Sequence, residues 1–333
     1  ARHLFAKDSP QETEFNDLRE SLINGHLVLL NCALHFGCSY ERWKFIANAM
    51  LEKDPGNPKI HRLRVIHLYE ADCNLILAAK WRAVLQHACR SGFINSSAFG
   101  SQPGKAALDA ALVKELEFEL CRLTRKSLIV QDDDAASCYD RIPCFLGNIT
   151  SRKFGLSKQV CMVQGKTLKE ARCHLKTKLG ISDTHVQHSI DTPWFGTGQG
   201  SGNSPACWPF VSSIACDMFE ETATGATYES PDKTISMTLH MLGFVDDTNH
   251  RINEFSEHPQ PPVSALSEAA SKDGQCWNDI LSSINQAMEV PKCSLHAIEC
   301  DFADDGQPML VPKPAVDVKV DTNTGPLTIK QHD

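Results

Sequence analysis

Nowhere in these 333 residues do two cysteines form a Cys-x-x-Cys pair, although the chain holds 14 of them. Scattered from Cys32 and Cys38 to Cys293 and Cys300, they lack the spacing of a zinc site or a disulfide framework, and the expectation is reduced thiols. Long apolar runs are also missing. The longest stretch, His26 to Gly37, is interrupted by Asn31 and His35 and falls short of the ~20 residues that cross a bilayer. The reading is therefore of an intracellular chain, nuclear or cytoplasmic, neither secreted nor membrane-bound. The start, Ala1-Arg-His-Leu-Phe5, has no initiator Met and no signal-peptide layout, so a piece of a longer polypeptide is expected. An overall positive charge is absent too, the net charge being −8. That balance argues against a simple nucleic-acid binder, because phosphate contacts need Lys and Arg. Internal repeats and low-complexity tracts do not occur.

Several familiar nucleotide motifs fail on inspection. Gly165-Lys166-Thr167 resembles the end of a phosphate loop, but Val160 stands where the first glycine belongs. Gly100 to Lys105 is one residue too short and continues with Ala106. The glycines between Gly196 and Gly202 do not follow the dinucleotide-binding spacing. His185 and His188 have no cysteine or acid nearby at zinc-ligand spacing.

With 42% hydrophobic and 22% charged residues, the composition is that of a folded chain large enough for two or three subdomains. Charge is unevenly distributed. Between Ser151 and Gly180 stand eight basic residues, Arg152, Lys153, Lys158, Lys166, Lys169, Arg172, Lys176 and Lys178, against the single acid Glu170. From Arg251 to Asp333 thirteen acids face six bases. Any nucleic acid should therefore meet the middle of the chain, although a solvated helix face explains the basic stretch equally well.

Apolar spacing predicts helix over 11 to 53, ended by the breaker cluster Asp54-Pro55-Gly56-Asn57-Pro58, then a strand with a basic face from Lys59 to Tyr69. A helix is expected from Glu70 to about Ala88, a loop over Phe99 to Gly104, and a helix carrying Leu108, Leu112, Leu116, Leu120 and Leu123. Ser127 to Val130 reads as a short buried strand. A basic helical region is expected at about 157 to 179, and a further helix from Pro205 to Glu220. Ile235 to Val245 and the residues after Thr248 read as two strands joined at Asp246-Asp247. A loop at Pro259 to Pro262, a helix around Trp277 to Met288, and loop with short strand from Gly306 complete the reading.

Three blocks carry the chemistry. They are Asp134-Ala-Ala-Ser-Cys-Tyr139-Asp140, then Gln199-Gly200-Ser-Gly-Asn-Ser204-Pro205, then Phe244-Val245-Asp246-Asp247. An Asp at the end of one strand and an Asp-Asp at a neighbouring hairpin tip can bring carboxylates together to hold divalent ions, which is what nucleotidyl transfer requires. Singly these are weak signals, since Asp-Asp also occurs at 132-133, 133-134 and 304-305.

In combination they resemble the reverse transcriptase family, closest to the type carried by non-LTR retrotransposons. The first family block has an Asp with an aromatic residue five positions on, and Asp134, Tyr139 and Asp140 fit it. That spacing selects Asp134 over Asp132 and Asp133. Gln199-Gly200 and Ser204-Pro205 match the second block, with Gly202 where the family commonly has Pro; Phe244, Asp246 and Asp247 match the third. Weaker matches are Arg64 in Leu63-Arg-Val-Ile66, similar to a fingers segment contacting the incoming triphosphate, and Lys292 in Pro291-Lys-Cys293, similar to the lysine of a fourth block. The resemblance implies Asp134 and Asp246 as direct ligands of Mg²⁺ or Mn²⁺, with Asp247 beside them. It places Tyr139 beneath the sugar, where a flat ring excludes a 2′-hydroxyl, and Lys292 as proton donor to the leaving pyrophosphate. Gln199, Gly200, Ser204 and Pro205 would line the template and nascent base pair, where glycine lets backbone approach closely.

The fold so implied is α+β, a right-hand polymerase whose palm is a small antiparallel sheet with packed helices, plus fingers, with the thumb largely missing. Fingers and an N-terminal helical region would occupy 1–130, the palm 131–300, and an extension 301–333. The implied activity is RNA-directed DNA synthesis by two-metal nucleotidyl transfer, with an RNA template, a DNA primer and dNTPs as partners and no membrane. The alternatives are a catalytically inactive, RNA-binding relative and an RNA-dependent RNA polymerase; Tyr139 speaks against the latter.

Overall fold

The computed structural model describes residues 11–57, 59, 62–136, 138–189, 196–253, 263–312, 317–323 and 325–331. In chain order the elements begin with α1 (Gln11–Phe36), β1 (Phe45–Glu52), β2 (Leu63–Leu68), α2 (Ala71–Arg90), α3 (Ala107–Thr124) and β3 (Leu128–Asp134). Next come α4 (Cys138–Arg141), α5 (Cys144–Lys153), α6 (Lys158–Lys169), β4 (Arg172–Thr177), β5 (Gly180–Gln187) and α7 (Ser204–Glu220). Then follow β6 (Ala226–Glu229), β7 (Ser236–Leu239), β8 (Met241–Phe244), β9 (Asp247–Ile252) and α8 (Val263–Ser283), before β10 (Ser294–Phe302), β11 (Pro308–Pro312), β12 (Val318–Thr322) and β13 (Gly325–Ile329). The chain divides into two units, Ala1–Lys80 with Leu156–Trp194, and Trp81–Gly155 with Phe195–Asp333.

The first unit is built on a four-stranded sheet in the order β2-β1-β4-β5. β1 pairs antiparallel with β2 and parallel with β4, placing Phe45 beside Arg172 and Ala47 beside His174. This corrects the helix expected over the whole of 11 to 53. The helix ends at Phe36, Trp43 is buried in a short 3-10 turn, and 45 to 52 is strand. The residues of Phe45-Ile-Ala-Asn-Ala-Met-Leu-Glu suit either state, and pairing on both sides decides. A second correction concerns the basic region. Ser157 caps α6 by accepting from the Val160 amide at 3.4 Å, but the helix stops at Lys169. Arg172 onward alternates polar and apolar residues and forms the β4–β5 hairpin.

The second unit contains a five-stranded sheet in the order β11-β10-β3-β9-β8. Leu128, Ile129 and Val130 of the central β3 are all fully buried, so both faces are covered there. On one face Leu128 and Val130 pack with Cys121 of α3 and with Ala226 and Tyr228 of β6. On the other lie α7 and α8, the latter burying Leu266, Ala270, Trp277 and Leu281 at helical spacing. α8 starts well before the expected Trp277 and ends at Ser283. The expected long strand 235 to 245 is two strands, β7 pairing with β6 and β8 with β9, divided at His240. The leucine spacing of α3 does form a helix, yet Leu108, Leu112, Leu116 and Leu123 are exposed while Glu117 and Cys121 are buried. The tail supplies β11 and the β12–β13 hairpin, which packs along α8. The loop expected at Pro259 to Pro262 lies outside the described residues. No helix among the described residues is long and apolar enough to cross a membrane. The architecture is thus mixed α/β, with mostly antiparallel sheets.

Candidate carboxylate site

Alternation along β3 sends Asp132 and Asp134 to one face of the sheet and Asp133 to the other. Asp133 is buried there, where it accepts from Gln131 Nε2 at 2.9 and 3.1 Å, and burial pushes its carboxyl up to about 7. Asp132 shares the face of Asp134 but is engaged, with Lys114 Nζ at 3.2 Å, His296 Nε2 at 3.0 Å and the Asn249 amide. Asp134 closes the strand. Its register partner on β9 is Asp247, and Asp246 immediately precedes that residue at the hairpin tip. Lys292 leaves a 3-10 turn at Val290–Lys292 and places its ammonium 2.6 Å from Asp134 Oδ2. The structure therefore gathers Asp134, Asp246, Asp247 and Lys292 at one end of the sheet.

The hairpin tip is held by groups that the sequence did not single out. Val245, between Phe244 and Asp246, has φ +61, a left-handed conformation that a β-branched residue adopts only under constraint. The Trp208 indole N–H donates to the Val245 carbonyl, and a side chain at Gly100 would collide with the Val245 amide nitrogen. Residues 97 to 99 bond to β8 on that side, Phe99 N donating to the Gly243 carbonyl at 2.7 Å and Gly243 N to the Ser97 carbonyl at 2.8 Å. On the other side the Ala135 amide donates to the Asp246 carbonyl at 3.4 Å, and the Glu289 amide to the Asp134 carbonyl at 2.8 Å. In the sequence Gly100 stands out only as part of a failed phosphate loop; its close approach to Val245 is what requires glycine.

The glycine-rich block packs on the segment that follows Asp134. Gly196 has φ +92, and a side chain there would meet the Tyr139 carbonyl and Asp140 Cα at 2.7 Å. Thr197 N donates to the Tyr139 carbonyl at 3.0 Å and Gly196 N to the Ile142 carbonyl at 2.8 Å. The half-buried Tyr139 packs against Ala135, Ile142, Trp208 and Val211. Gln199 is half-buried and Gly200 exposed. Ser204 is buried, with its hydroxyl donating back to the carbonyls of Thr197 and Gly198 at 3.1 and 3.0 Å. Pro205 is exposed in the first turn of α7, where a missing N–H costs nothing. Arg64 belongs to the other unit, exposed on β2 opposite Leu51.

The charges at the tip repel one another. Asp247 titrates above the ordinary carboxylate range through burial, then through Asp246, Asp134 and Asp132, with Lys292 opposing. Lys292 is held above its usual value chiefly by its hydrogen bond to Asp134. Among the described residues no three His, Cys, Asp or Glu side chains enclose a point where a cation would sit. The donors nevertheless suit a hard divalent cation, since they are carboxylate oxygens carrying negative charge that the single Lys292 does not balance.

No protein-family profile and no curated protein matches the chain. Among solved structures it is similar to telomerase from Candida tropicalis in complex with the TWJ fragment of telomeric RNA, at a TM-score of 0.52 and 14% identity, over 85% of this chain and 44% of that one. It also matches apo telomerase from Candida tropicalis truncated from its C-terminal domain, at 0.45 and 11%, over 83% and 56%. The chain thus spans 44% of the first telomerase and 56% of the second. Telomerase is related to reverse transcriptases, and the first likeness supports a fold of that kind.

Proposed function

We propose that the chain carries the RNA-directed DNA polymerase region of a retrotransposon-like element of non-LTR type, adding dNTPs to a primer 3′-hydroxyl. The observation that carries this reading is the register of Asp134 against Asp247, with Asp246 beside it at a clamped hairpin tip. Asp134 and Asp246, with Asp247 adjacent, are the residues that would hold Mg²⁺ or Mn²⁺. Bound there, such ions would activate the attacking hydroxyl and neutralise the leaving pyrophosphate. Tyr139 would pack beneath the sugar and select deoxynucleotides, and Lys292 would give its proton to the leaving group. Gln199 and Gly200 would face the template, with Ser204 and Pro205 fixing that loop on α7. Fingers within 1–130, a palm within 131–300 and an extension over 301–333 belong to the same proposal. RNA binding is the part of this proposal supported by the RNA fragment in the first telomerase structure.

A second reading, an RNA-binding domain without catalysis, is favoured by one observation. The Lys292 ammonium already occupies an oxygen of Asp134. Primer extension on an RNA template with Mg²⁺ separates the two. The polymerase reading expects dNTP incorporation that Asp246→Ala reduces on the order of 10⁴-fold, about 5 kcal/mol of barrier, and ribonucleotide use gained by Tyr139→Ala. Incorporation equal in the chain and in Asp246→Ala would defeat the polymerase reading.

A further inference from the structure

The register of the four-stranded sheet in the first unit places a row of rings across three strands. Phe45 of β1 stacks on His174 of β4, with centroids 4.5 Å apart and planes 28° off parallel. His174 in turn meets His185 of β5, its register partner, at 5.2 Å. Phe45 is 39% exposed and His185 is exposed, although a core would be the usual place for such a tier. The middle ring is fixed in orientation. His174 Nδ1 lies 2.8 Å from the Ser182 carbonyl, and Ser182 Oγ accepts from the Leu175 amide at 2.9 Å, where the β4–β5 pairing is irregular.

Pairing also determines the charge of this face. Counting alternate residues from Phe45 and His174, it carries Arg64 on β2 and Arg172 and Lys176 on β4. By the same alternation the one acid in the described strands of this face is the exposed Asp183 on β5. Arg172 is held by Glu41 at 2.7 Å, while Arg64 and Lys176 are exposed. Exposed flat rings flanked by cations match the two repeating parts of a single strand of nucleic acid, its bases and its phosphates. A duplex offers phosphates but keeps its bases stacked on one another.

We infer that this sheet face is a stacking platform for single-stranded nucleic acid, with Phe45, His174 and His185 receiving bases and Arg64 and Lys176 receiving phosphates. The platform lies in a different unit from the carboxylates, and its binding is read without nucleotides, so it neither needs the polymerase reading nor falls with it. The test is fluorescence anisotropy of the full chain with labelled single-stranded RNA and single-stranded DNA of about 12 nucleotides, within the span such platforms cover, and a blunt duplex, without dNTPs or divalent ions. The expected result is tighter binding of a single strand, RNA or DNA, than of duplex. The pair Phe45→Ala with His185→Ala should weaken single-strand binding by about 10-fold or more. The pair Phe45→Trp with His185→Tyr should keep it, which separates stacking from loss of fold. Arg64→Ala and Lys176→Ala should each flatten the slope of log affinity against log salt by about 0.7. Unchanged affinity in the alanine pair, equal loss for single strand and duplex, or binding of neither single strand overturns the inference.

Discussion

One face of the five-stranded sheet meets acid side chains at both ends, its own at one and a helix's at the other, in opposite circumstances. At the tip, Asp134, Asp246 and Asp247 lie close together, with the exposed Lys292 the one cation beside them among the described residues. Further along the same strands, Arg251 of β9 is fully buried against Glu117 of α3, both side chains shielded completely from solvent. The Tyr228 hydroxyl donates to Glu117 at 3.2 Å, and Arg251 Nη1 donates to the Asn249 carbonyl at 3.0 Å. Opposite charges are sealed in at one end and like charges left open at the other. The sealed end has its partners built in; the open end has a charge deficit that an external cation can fill. The sheet thus joins a finished ion pair to an unfinished one through two strands.

The sharpest way to break the comparison is at the sealed end. Burial raises the Glu117 carboxyl above its ordinary range even with Arg251 beside it, so the pair has little margin. Glu117→Ala leaves a buried guanidinium without its counter-ion and should cost about 3–5 kcal/mol in urea unfolding at neutral pH. Replacing both partners, Glu117→Leu with Arg251→Met, should recover most of that loss, because the penalty belongs to the unpaired charge. A double variant no more stable than Glu117→Ala would show that the pair is needed for its geometry.

Little of this contrast is legible in the sequence. The open end announces itself because its chemistry demands particular residues at particular spacings, so Asp134, Asp246 and Asp247 stand out with no knowledge of pairing. The sealed end gives no such signal. Glu117 sits among leucines whose spacing points to a buried apolar stripe, yet Leu108, Leu112 and Leu116 face outward and the acid faces in. Only the pairing of β3 with β9 and the packing of α3 on them bring Arg251 to it, across a sequence separation of 134. The same limit explains the strand at 45 to 52 and the β4–β5 hairpin, where local spacing suits helix and long-range pairing decides otherwise. It explains Gly100 and Trp208 as well, whose roles exist only once Val245 is held at the tip.

A third acid shows what burial does where the nearby cation, Lys272, counts less than burial. Asp273 of α8 is almost fully buried and accepts from the Thr224 amide at 2.9 and 3.1 Å, and burial raises it from 3.8 to about 6 despite those bonds. Between about pH 4 and 6 the folded state therefore holds a proton that the unfolded chain has released. Its stabilising contribution is complete below about pH 4 and is lost as pH rises through about 6. Asn stays neutral throughout. Measured against Asp273→Asn, the parent should lose up to about 3 kcal/mol of stability between about pH 4 and 7, since each tenfold change in proton affinity is worth about 1.4 kcal/mol. A constant difference across that range would show that Asp273 is not raised.

The smallest effect is expected at the open end, and its sign is the informative part. Asp247 is exposed, and its carboxyl is raised by burial and by Asp246, Asp134 and Asp132. Removing its charge with Asp247→Asn should therefore stabilise the fold at neutral pH. Solvent screening limits the gain to about a few tenths of a kcal/mol. Because the raised carboxyl is protonated at low pH in both states, the gain should vanish near about pH 3 and grow as pH rises. It should shrink in about 1 M salt, where like charges are screened. Added Mg²⁺ should reverse the order, stabilising the parent more than Asp247→Asn if the carboxylates take up the ion. A variant less stable than the parent at neutral pH in low salt without divalent ions would mean that the tip is held by its acids, and the contrast between the two ends of the sheet would be lost.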